Sequence, residues 1–382
     1  MPDWGKAKTK HTEMENLYII IGAFICAVLM GQAIIPNILV ISLRKRLFDE
    51  PDSRKVHKRP VPRLGGVTFF PVILFTLSVF TAIRIMIGLN PDAREVGRIA
   101  CEFLFMIGGL TLLYIVGIGD DLVGVRYRKK FLVQILAAAM FPLSGLYINS
   151  FYGLFGIYQI DPSIGIPLTI LLVVFITNAI NLIDGIDGLA SGLSMVALIV
   201  FGILFIHFRY WSFALLAFVS VGVIIPFFSY NVFGSIDRGR KIFMGDTGSL
   251  TLGFILSFFV IKYSMYDPAV RIMPMSSPVL VSFSVLMVPC LDVVRVVLRR
   301  ARNHKPLFMP DKSHIHHKFL AMGFSPRSAM ISIQVMSACF CAFTMVAIHF
   351  LNNTVVFIID VLAWTLLNVW FDKIITKKSK LQ

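Results

Sequence analysis

Four short polar segments stand out in a chain that is otherwise strongly apolar. They are the pair Asp120-Asp121, the run 178–188, the loop 243–249 around Asp246, and the segment 310–317 that contains three histidines. Carboxylates are the side chains with which proteins bind Mg²⁺, and basic groups bind phosphates. The combination favours chemistry on a phosphate ester, assisted by a metal ion.

The pair Asp120-Asp121 is predicted to end an apolar helix. A solvated helix end is the structural alternative, but acids at a helix C-terminus oppose the helix dipole and are disfavoured there. We therefore interpret both aspartates as functional. Lys130 follows in the same short connection, where it could offset their charge or bind a phosphate.

A second group of polar residues recurs every third position. Because a step of three turns a helix by about 300°, neighbouring members lie near one face. The group begins inside an apolar segment, where polar side chains are costly and usually functional. A hydrogen-bonded seam between helices is the structural alternative. Glycines within the group would let its backbone approach a ligand. The members are Asn178, Asn181, Asp184 and Asp187, with glycines at 185 and 188.

The loop 243–249 is predicted to form a turn directly before a helix that begins near Leu250. Free N–H groups at a helix N-terminus attract an anion, whereas the carboxylate of Asp246 would repel a phosphate. A cation between them resolves the conflict, and Mg²⁺ typically uses one or two carboxylates together with phosphate oxygens. A capped turn without a ligand is the structural alternative.

The histidines His314, His316 and His317 lie among many Lys and Arg. A zinc site is one alternative, but it lacks a nearby Cys and a closed set of four ligands. A solvated basic loop is another. We favour imidazoles that bind or orient phosphates, and we expect His316 and His317 to lie in a polar loop and not in a core.

The composition defines the elements that must position these residues. The 382 residues are 57% hydrophobic and only 15% charged, with a mean hydropathy of +0.80. This excludes an ordinary soluble protein and predicts an all-α, polytopic transmembrane helical bundle, because apolar runs long enough to cross a bilayer recur along the chain. We count eleven candidate spans: 17–43, 65–88, 99–119, 131–149, 164–182, 189–208, 211–230, 250–265, 276–298, 329–350 and 355–372.

The net charge of +15 is distributed unevenly between the two alternating sets of loops. One set carries 26 of the 36 Lys and Arg and the other carries seven. Cytoplasmic loops concentrate positive charge, so the N-terminus is predicted outside and the C-terminus in the cytoplasm. This explanation makes nucleic-acid binding unnecessary. We predict a polar N-terminal segment 1–16, a single integral-membrane domain 17–372, and a basic cytoplasmic tail 373–382.

Taken together, the motifs resemble those of the polyprenyl-phosphate N-acetylhexosamine-1-phosphate transferases, specifically the bacterial undecaprenyl-phosphate N-acetylglucosamine-1-phosphate transferases. A sister branch transfers phospho-MurNAc-pentapeptide and has three consecutive histidines where this chain has His-Ile-His-His. The matching segments run in family order: 59–66, 119–121, 130–134, 178–188, 243–249, 299–300 and 310–317.

The resemblance implies transfer of a sugar-1-phosphate from UDP-GlcNAc to undecaprenyl phosphate, with release of UMP. It implies Mg²⁺, with Mn²⁺ as an alternative, held by Asp246 and by the catalytic candidates Asp120 and Asp121. The diphosphate and nucleotide would be bound by Lys130, Asn178, Asn181, Asp184, Asp187, Arg300, His314, His316 and His317.

The same resemblance implies a multi-pass protein of the bacterial inner membrane whose active site faces the cytoplasm. Apart from the sister branch, two other classes remain as alternatives. A transporter of a phosphorylated solute would place ionisable groups near the membrane midplane, and a polybasic scaffold would explain the basic loops but not the aspartates. A homodimer, the preference between GlcNAc and GalNAc, and the glycan that is built are left open.

Overall fold

The computed structural model describes residues 4–45, 47–49, 61–89, 93–265, 277–306 and 313–380, and this part of the chain is predominantly helical. The all-α, polytopic prediction is confirmed. The helices are α1 (Trp4–Arg44), α2 (Phe69–Met86), α3 (Ala93–Val123), α4 (Tyr127–Leu143), α5 (Pro162–Ile183), α6 (Leu189–His207), α7 (Trp211–Val232), α8 (Gly245–Ser264), α9 (Pro278–Val285), α10 (Met287–Arg302), α11 (Ile315–Ala321), α12 (Pro326–Ala347) and α13 (Asn353–Ser379).

Two short hairpins and one 3₁₀ turn complete the described secondary structure. The hairpins are β1 (Phe48–Asp49) with β2 (Val61–Pro62), and β3 (Ser150–Leu154) with β4 (Ile157–Gln159), both antiparallel. The 3₁₀ turn covers Leu64–Thr68, directly before α2.

Within the described residues, nine helices are long and apolar enough to cross a membrane, or ten if one bent pair counts as a single span. The sequence predicted eleven. The stretch 131–149 forms α4, which has only 17 residues and is short for a bilayer core of about 30 Å. The stretch 276–298 is broken into α9 and α10, which are bent by 75°. Pro289 lies just after the break and has no N–H to donate to Val285, so a continuous helix loses a bond there.

The ends of the chain extend the outermost spans. The predicted polar segment is helical from Trp4 and continuous with α1, and the basic tail continues α13 as far as Ser379.

The chain divides into two compact units. The first comprises Met1–Asp49, Val61–Gly145 and Ala197–Thr251. Here α1 packs on α2 and α7, α2 packs on α7, and α3 packs on α4. Interlocking aromatic rings fill its interior; Phe69 and Phe227, for example, meet edge to face at 5.2 Å.

The second unit comprises the described residues of Leu146–Val196 and Leu252–Gln382. In it α10 packs on α5 and α12, α9 packs on α12, and α11 packs on α12 and α13. The start of α5 is well defined, because Asp161 accepts a hydrogen bond from the N–H of Ser163 at 2.9 Å and Pro162 occupies the first helical position.

The helices differ in how much of their surface is buried. In α1, α3 and α13 only 28% of the most apolar stretch is buried, whereas in α8 the buried share is 94%. Partly buried apolar helices leave a face for lipid, and a helix buried all round belongs to the interior. The N-terminus of this interior helix carries Asp246.

Candidate functional site

In the first unit, two carboxylates share one ammonium group. Asp120 lies in the last turn of α3, Lys130 in the first turn of α4, and Asp246 in the first turn of α8. The Lys130 Nζ lies 3.3 Å from Asp120 Oδ2 and also contacts Asp246 Oδ2. The sequence predicted these three residues for one site, and the structure brings them together.

The tight connection between α3 and α4 explains how Lys130 reaches Asp120. The backbone reverses at Gly124, which has a positive φ of 75°, and Asp120 Oδ1 accepts the N–H of Val125 at 2.6 Å. Burial alone would lower the pKa of Lys130, but the carboxylates of Asp246 and Asp120 outweigh burial and raise it. Lys130 therefore carries its charge at neutral pH.

Asp121 has a different set of partners from its neighbour Asp120. Its Oδ1 accepts the N–H of Asp246 at 2.8 Å, and its Oδ2 accepts the N–H and the hydroxyl of Thr247 at 3.0 and 2.6 Å. The anion at the N-terminus of α8, which the sequence suggested would be a ligand, is therefore the carboxylate of Asp121. This arrangement also explains an acid at the C-terminus of α3, because the positive end of the α8 dipole compensates it.

Two glycines make this contact possible. A Cβ on Gly117, one helical turn before Asp121, would lie 2.6 Å from the Cα of Thr247. Gly245 has a positive φ of 72°, and a Cβ there would lie 2.6 Å from the Asp121 carboxylate. Only residues without a side chain at these positions allow α3 and α8 to approach closely enough for the cap to form.

The segment that precedes α2 supports the same loop. The N–H of Gly65 donates to the Phe243 carbonyl at 2.9 Å, the N–H of Gly66 to Met244 at 2.8 Å, and the N–H of Phe243 to Pro62 at 2.7 Å. The sequence motif 59–66 had no assigned role, and this pairing supplies one for its later residues. Its first two residues, Arg59 and Pro60, lie outside the described residues.

The donor set of the first unit fits a magnesium ion. No group of three or more His, Cys, Asp or Glu arranged around a metal position is found in the described part of the chain. Mg²⁺ needs only one or two carboxylates when phosphate oxygens and waters complete its shell. The carboxylates of Asp120 and Asp246 already contact one cation, the ammonium group of Lys130. The oxygens of Asp121 instead accept hydrogen bonds from the first residues of α8.

In the second unit, the residues spaced by three lie at the end of α5 and beyond it. Asn178 donates its amide to the Val174 carbonyl within α5 at 2.8 Å. Asn181 is in the last turn, and Asp184 is the residue at which the helix ends. Asp187 lies in the connection to α6. The predicted helical face therefore includes Asn178 and Asn181 but not Asp184 or Asp187, because α5 stops at Ile183.

The two glycines of this connection contact side chains of the protein itself and not a ligand space. A Cβ on Gly185 would overlap the ring of His316, so it is an imidazole that approaches the backbone there. Gly188 has a positive φ of 74°, and its carbonyl accepts a hydrogen bond from the amide of Gln334 at 2.9 Å.

The expectation that His316 lies in a polar loop is wrong. It belongs to α11, and only 2% of its surface is exposed. Burial, followed by the neighbouring rings of His317 and His314, lowers the pKa of His316 to about 3, so the ring is neutral at physiological pH. His317 also belongs to α11 and not to a loop, but it is partly exposed as expected, and its ring centroid lies 4.2 Å from that of His316.

A buried aspartate that is not among the predicted site residues fixes the histidine segment in place. Asp292 is fully buried in α10. Its Oδ2 lies 2.8 Å from His314 Nδ1, and its Oδ1 accepts from Arg295 at 2.7 Å and from the N–H of Ile315 at 3.0 Å. The available signal was an Asp three residues before an Arg inside an apolar span, because ionisable residues there are usually functional.

Several buried polar atoms near these histidines have no hydrogen-bond partner in the described part of the chain. They are the Oγ of Ser313, the Nδ1 of His316 and the Nε of Arg295. Arg300, at the end of α10, is also buried. Buried polar groups are nearly always paired, so this cluster fits a polar, anionic ligand that enters among histidine and arginine side chains.

Part of the chain matches a known protein family. The model of the family described as Glycosyl transferase family 4 matches residues 103–264, which include the first three of the four polar segments. A Bacillus subtilis protein described as a probable undecaprenyl-phosphate N-acetylglucosaminyl 1-phosphate transferase is 32% identical over 85% of this chain and 84% of its own length.

Two further relatives carry similar descriptions. An undecaprenyl-phosphate alpha-N-acetylglucosaminyl 1-phosphate transferase of Yersinia pestis is 29% identical over 78% of this chain and 76% of its own. A decaprenyl-phosphate N-acetylglucosaminephosphotransferase of Mycobacterium tuberculosis is 32% identical over 74% of this chain and 71% of its own. With identity at this level over most of the chain, the protein is a multi-pass membrane enzyme that belongs to glycosyl transferase family 4.

Proposed function

We propose that the protein transfers N-acetylglucosamine-1-phosphate from UDP-GlcNAc to undecaprenyl phosphate in a Mg²⁺-dependent reaction. The products are undecaprenyl-diphospho-GlcNAc and UMP, and the reaction is the first step of a lipid-linked cell-envelope glycan. The descriptions of the two relatives from Bacillus subtilis and Yersinia pestis support the acceptor and the transferred group. The observation that carries the proposal is that the carboxylates of Asp120 and Asp246 both contact the ammonium group of Lys130, at the start of the buried helix α8.

In this proposal Asp246 and Asp120 hold the magnesium ion, or Mn²⁺ in its place. When bound, the ion would neutralise negative charge on the phosphates of the donor. Lys130 lies between the same carboxylates and is placed to move onto a phosphate oxygen. Asp121 holds the first turn of α8, so that Asp246 keeps its position.

The second unit would bind the donor. Arg300 and the histidines supply donors for the diphosphate, and the residues at the end of α5 face the nucleotide. The three buried atoms without partners, on Ser313, His316 and Arg295, support a polar ligand there. The nucleotide-facing residues are Asn178, Asn181, Asp184 and Asp187.

The chemistry requires little from a general base. The second pKa of a phosphate monoester is near 6, so the lipid phosphate is already largely dianionic at pH 7. One of its oxygens attacks the sugar-linked phosphorus in line. The bond from that phosphorus to the bridging oxygen breaks, and UMP leaves with the electron pair. Positioning and charge neutralisation therefore dominate. Attack by an aspartate, through an aspartyl-phosphate intermediate, is the alternative route.

The setting proposed for this reaction is the bacterial inner membrane, with the site on its cytoplasmic face. The excess of Lys and Arg in one set of loops supports this orientation. A soluble UDP-sugar and a lipid phosphate can meet at such a surface.

One assay separates the proposed function from its alternatives. Detergent-solubilised protein is incubated with UDP-GlcNAc, undecaprenyl phosphate and Mg²⁺, and UMP is measured; a parallel reaction contains EDTA. We expect UMP only when lipid, donor and metal are all present. UMP released only with UDP-MurNAc-pentapeptide would indicate the sister branch. Absence of UMP with every donor would favour a transporter or scaffold.

A further inference from the structure

The segment 313–315 is fixed from one point in α10. Asp292 Oδ1 accepts the N–H of Ile315 at 3.0 Å, and Asp292 Oδ2 lies 2.8 Å from His314 Nδ1. Arg295, bound to the same carboxylate at 2.7 Å, also donates to the Ser313 carbonyl. A single buried side chain thus holds three consecutive residues, two directly and one through Arg295.

The contact with His314 also selects which ring nitrogen carries hydrogen. A carboxylate with no proton can only accept, so the Nδ1 of His314 must be the donor in this pair. The Nε2 is then the ring nitrogen left for a ligand. It can donate to a phosphate oxygen only if it also carries hydrogen, and the ring is then a cation between the Asp292 carboxylate and the diphosphate. His314 is itself 7% exposed and its ring is parallel to that of His316, with centroids 5.9 Å apart. Little freedom remains for the ring to turn or to change its tautomer.

We propose that Asp292 is a positioning residue for the transfer reaction: acting through His314, it keeps hydrogen on Nδ1 and balances the charge of the ring while Nε2–H donates to the diphosphate of the donor. The proposal rests on the proposed function, in which His314 binds that diphosphate. Asp292 itself touches no substrate. Its effect on the reaction is expected only while His314 is present.

The variant Asp292→Asn isolates this role. The amide oxygen of Asn can still accept from Arg295 and from the N–H of Ile315, so the segment stays in place. Its NH₂ group then faces His314 Nδ1, which must become the acceptor. The single ring hydrogen moves to Nε2, so the ring is neutral and its hydrogen bond to the diphosphate loses the strength that a positive charge gives. We expect kcat/KM for the donor to fall about 10–100-fold, as for other groups that orient a functional histidine. The KM for the lipid acceptor should change little.

A double-mutant cycle distinguishes this role from a purely structural one. If Asp292 acts through His314, the variant carrying Asp292→Asn and His314→Gln should be no slower than His314→Gln alone. If the two losses multiply, the proposal is overturned. The matched control is Asp360→Asn, in which a fully buried aspartate of α13 that accepts from the Thr344 hydroxyl at 2.8 Å is changed in the same way without a histidine partner. Its turnover should match wild type.

A spectroscopic measurement on the unaltered enzyme completes the test. The protein is labelled with ¹⁵N-histidine, and the His314 resonances are assigned by their absence in His314→Gln. We expect Nδ1 to be protonated in wild type; a bare Nδ1 with hydrogen on Nε2 overturns the proposal even if Asp292→Asn does not fold. Wild-type protein that releases no UMP contradicts the proposed function, and the proposal with it. Active wild type with multiplying losses contradicts the proposal alone.

Discussion

Asp246 combines two roles in one residue. Its backbone N–H is bound by Asp121, while its carboxylate contacts Lys130. The first interaction stabilises the start of α8, and the second involves the negative charge that would hold the metal ion in the proposed reaction. The two roles can be separated, because a substitution that keeps the backbone and removes the charge affects only the second.

We therefore predict that Asp246→Asn reduces turnover by at least about a hundredfold, similar to the loss of one key electrostatic group in other enzymes. Raised Mg²⁺ should restore activity only in part, and the melting temperature without ligand should stay close to that of wild type. Steady-state UMP release and thermal unfolding in detergent measure the two effects.

The control for this variant is Asp161→Asn at the exposed start of α5, because Asn caps a helix as well as Asp. It should leave turnover unchanged. Near-wild-type turnover of Asp246→Asn at low Mg²⁺ would place the metal elsewhere, and Asp120 would be the next residue to test.

The burial of His316 predicts that the folded protein is less stable at acid pH. Burial lowers its pKa to about 3, whereas in the unfolded chain a histidine titrates near 6.5. Between these values the unfolded state binds a proton that the folded state does not. Stability is therefore lost as the pH falls below about 6.5, by up to about 1.4 kcal/mol per pH unit.

The variant His316→Asn should remove this dependence. Melting temperatures of wild type and variant are compared at pH 7.5 and pH 5 in the same detergent, and we expect a smaller fall in the variant. An equal fall in both proteins would show that His316 is solvated and titrates normally.

At the scale of the elements, the site depends on how closely α3 approaches the start of α8. Gly117 is the contact point, since a Cβ there would lie 2.6 Å from the Cα of Thr247. We predict that Gly117→Ala lowers both the melting temperature and turnover, because it separates Asp121 from the N–H groups that it caps.

Gly108→Ala is the matched control for that change. Gly108 lies in the same helix and a Cβ there would meet nothing within 4 Å. It should leave activity intact and stabilise α3 slightly, because alanine favours a helix over glycine by about 1 kcal/mol. If the two variants behave alike, close approach at Gly117 is not what holds the site.

The elements also show what could be predicted from the sequence. Apolar runs predicted the spans, and the polar residues just beyond their ends predicted Asp120, Lys130 and Asp246, because both signals are local. The role of Asp121 was not predictable, since its partners are 125 and 126 residues away along the chain. The burial of His316 was missed for the same reason: the polar sequence around it does not reveal that its ring packs against Gly185.

The broken span illustrates a second limit. Composition alone makes 276–298 one apolar run, and only the backbone shows that it bends by 75° between α9 and α10. A proline in the run was a signal for a break. The sequence does not show, however, where the break lies relative to the membrane, so the number of spans could not be fixed by counting apolar residues.

For the whole molecule, the charge distribution predicts an orientation. In a background where the five native cysteines are replaced, Arg302→Cys should resist a membrane-impermeant thiol reagent in intact cells. Tyr158→Cys, in the β3–β4 hairpin, should be labelled. Both side chains are exposed, so burial does not explain a difference between them. Labelling in the reverse pattern would contradict the proposed cytoplasmic site.

The central claim is that the sugar moves together with its phosphate. UDP-GlcNAc labelled with ³²P at the β-phosphorus tests it. That atom stays with the sugar if the sugar-1-phosphate is transferred, and it stays with the nucleotide if the sugar alone is transferred. Purified enzyme, undecaprenyl phosphate and Mg²⁺ are mixed with the labelled donor, and lipid and aqueous phases are separated. We predict that the label enters the lipid phase in equal amount to the unlabelled UMP released. Label that remains in the aqueous phase as UDP, while sugar enters the lipid, would contradict transfer of a sugar-1-phosphate.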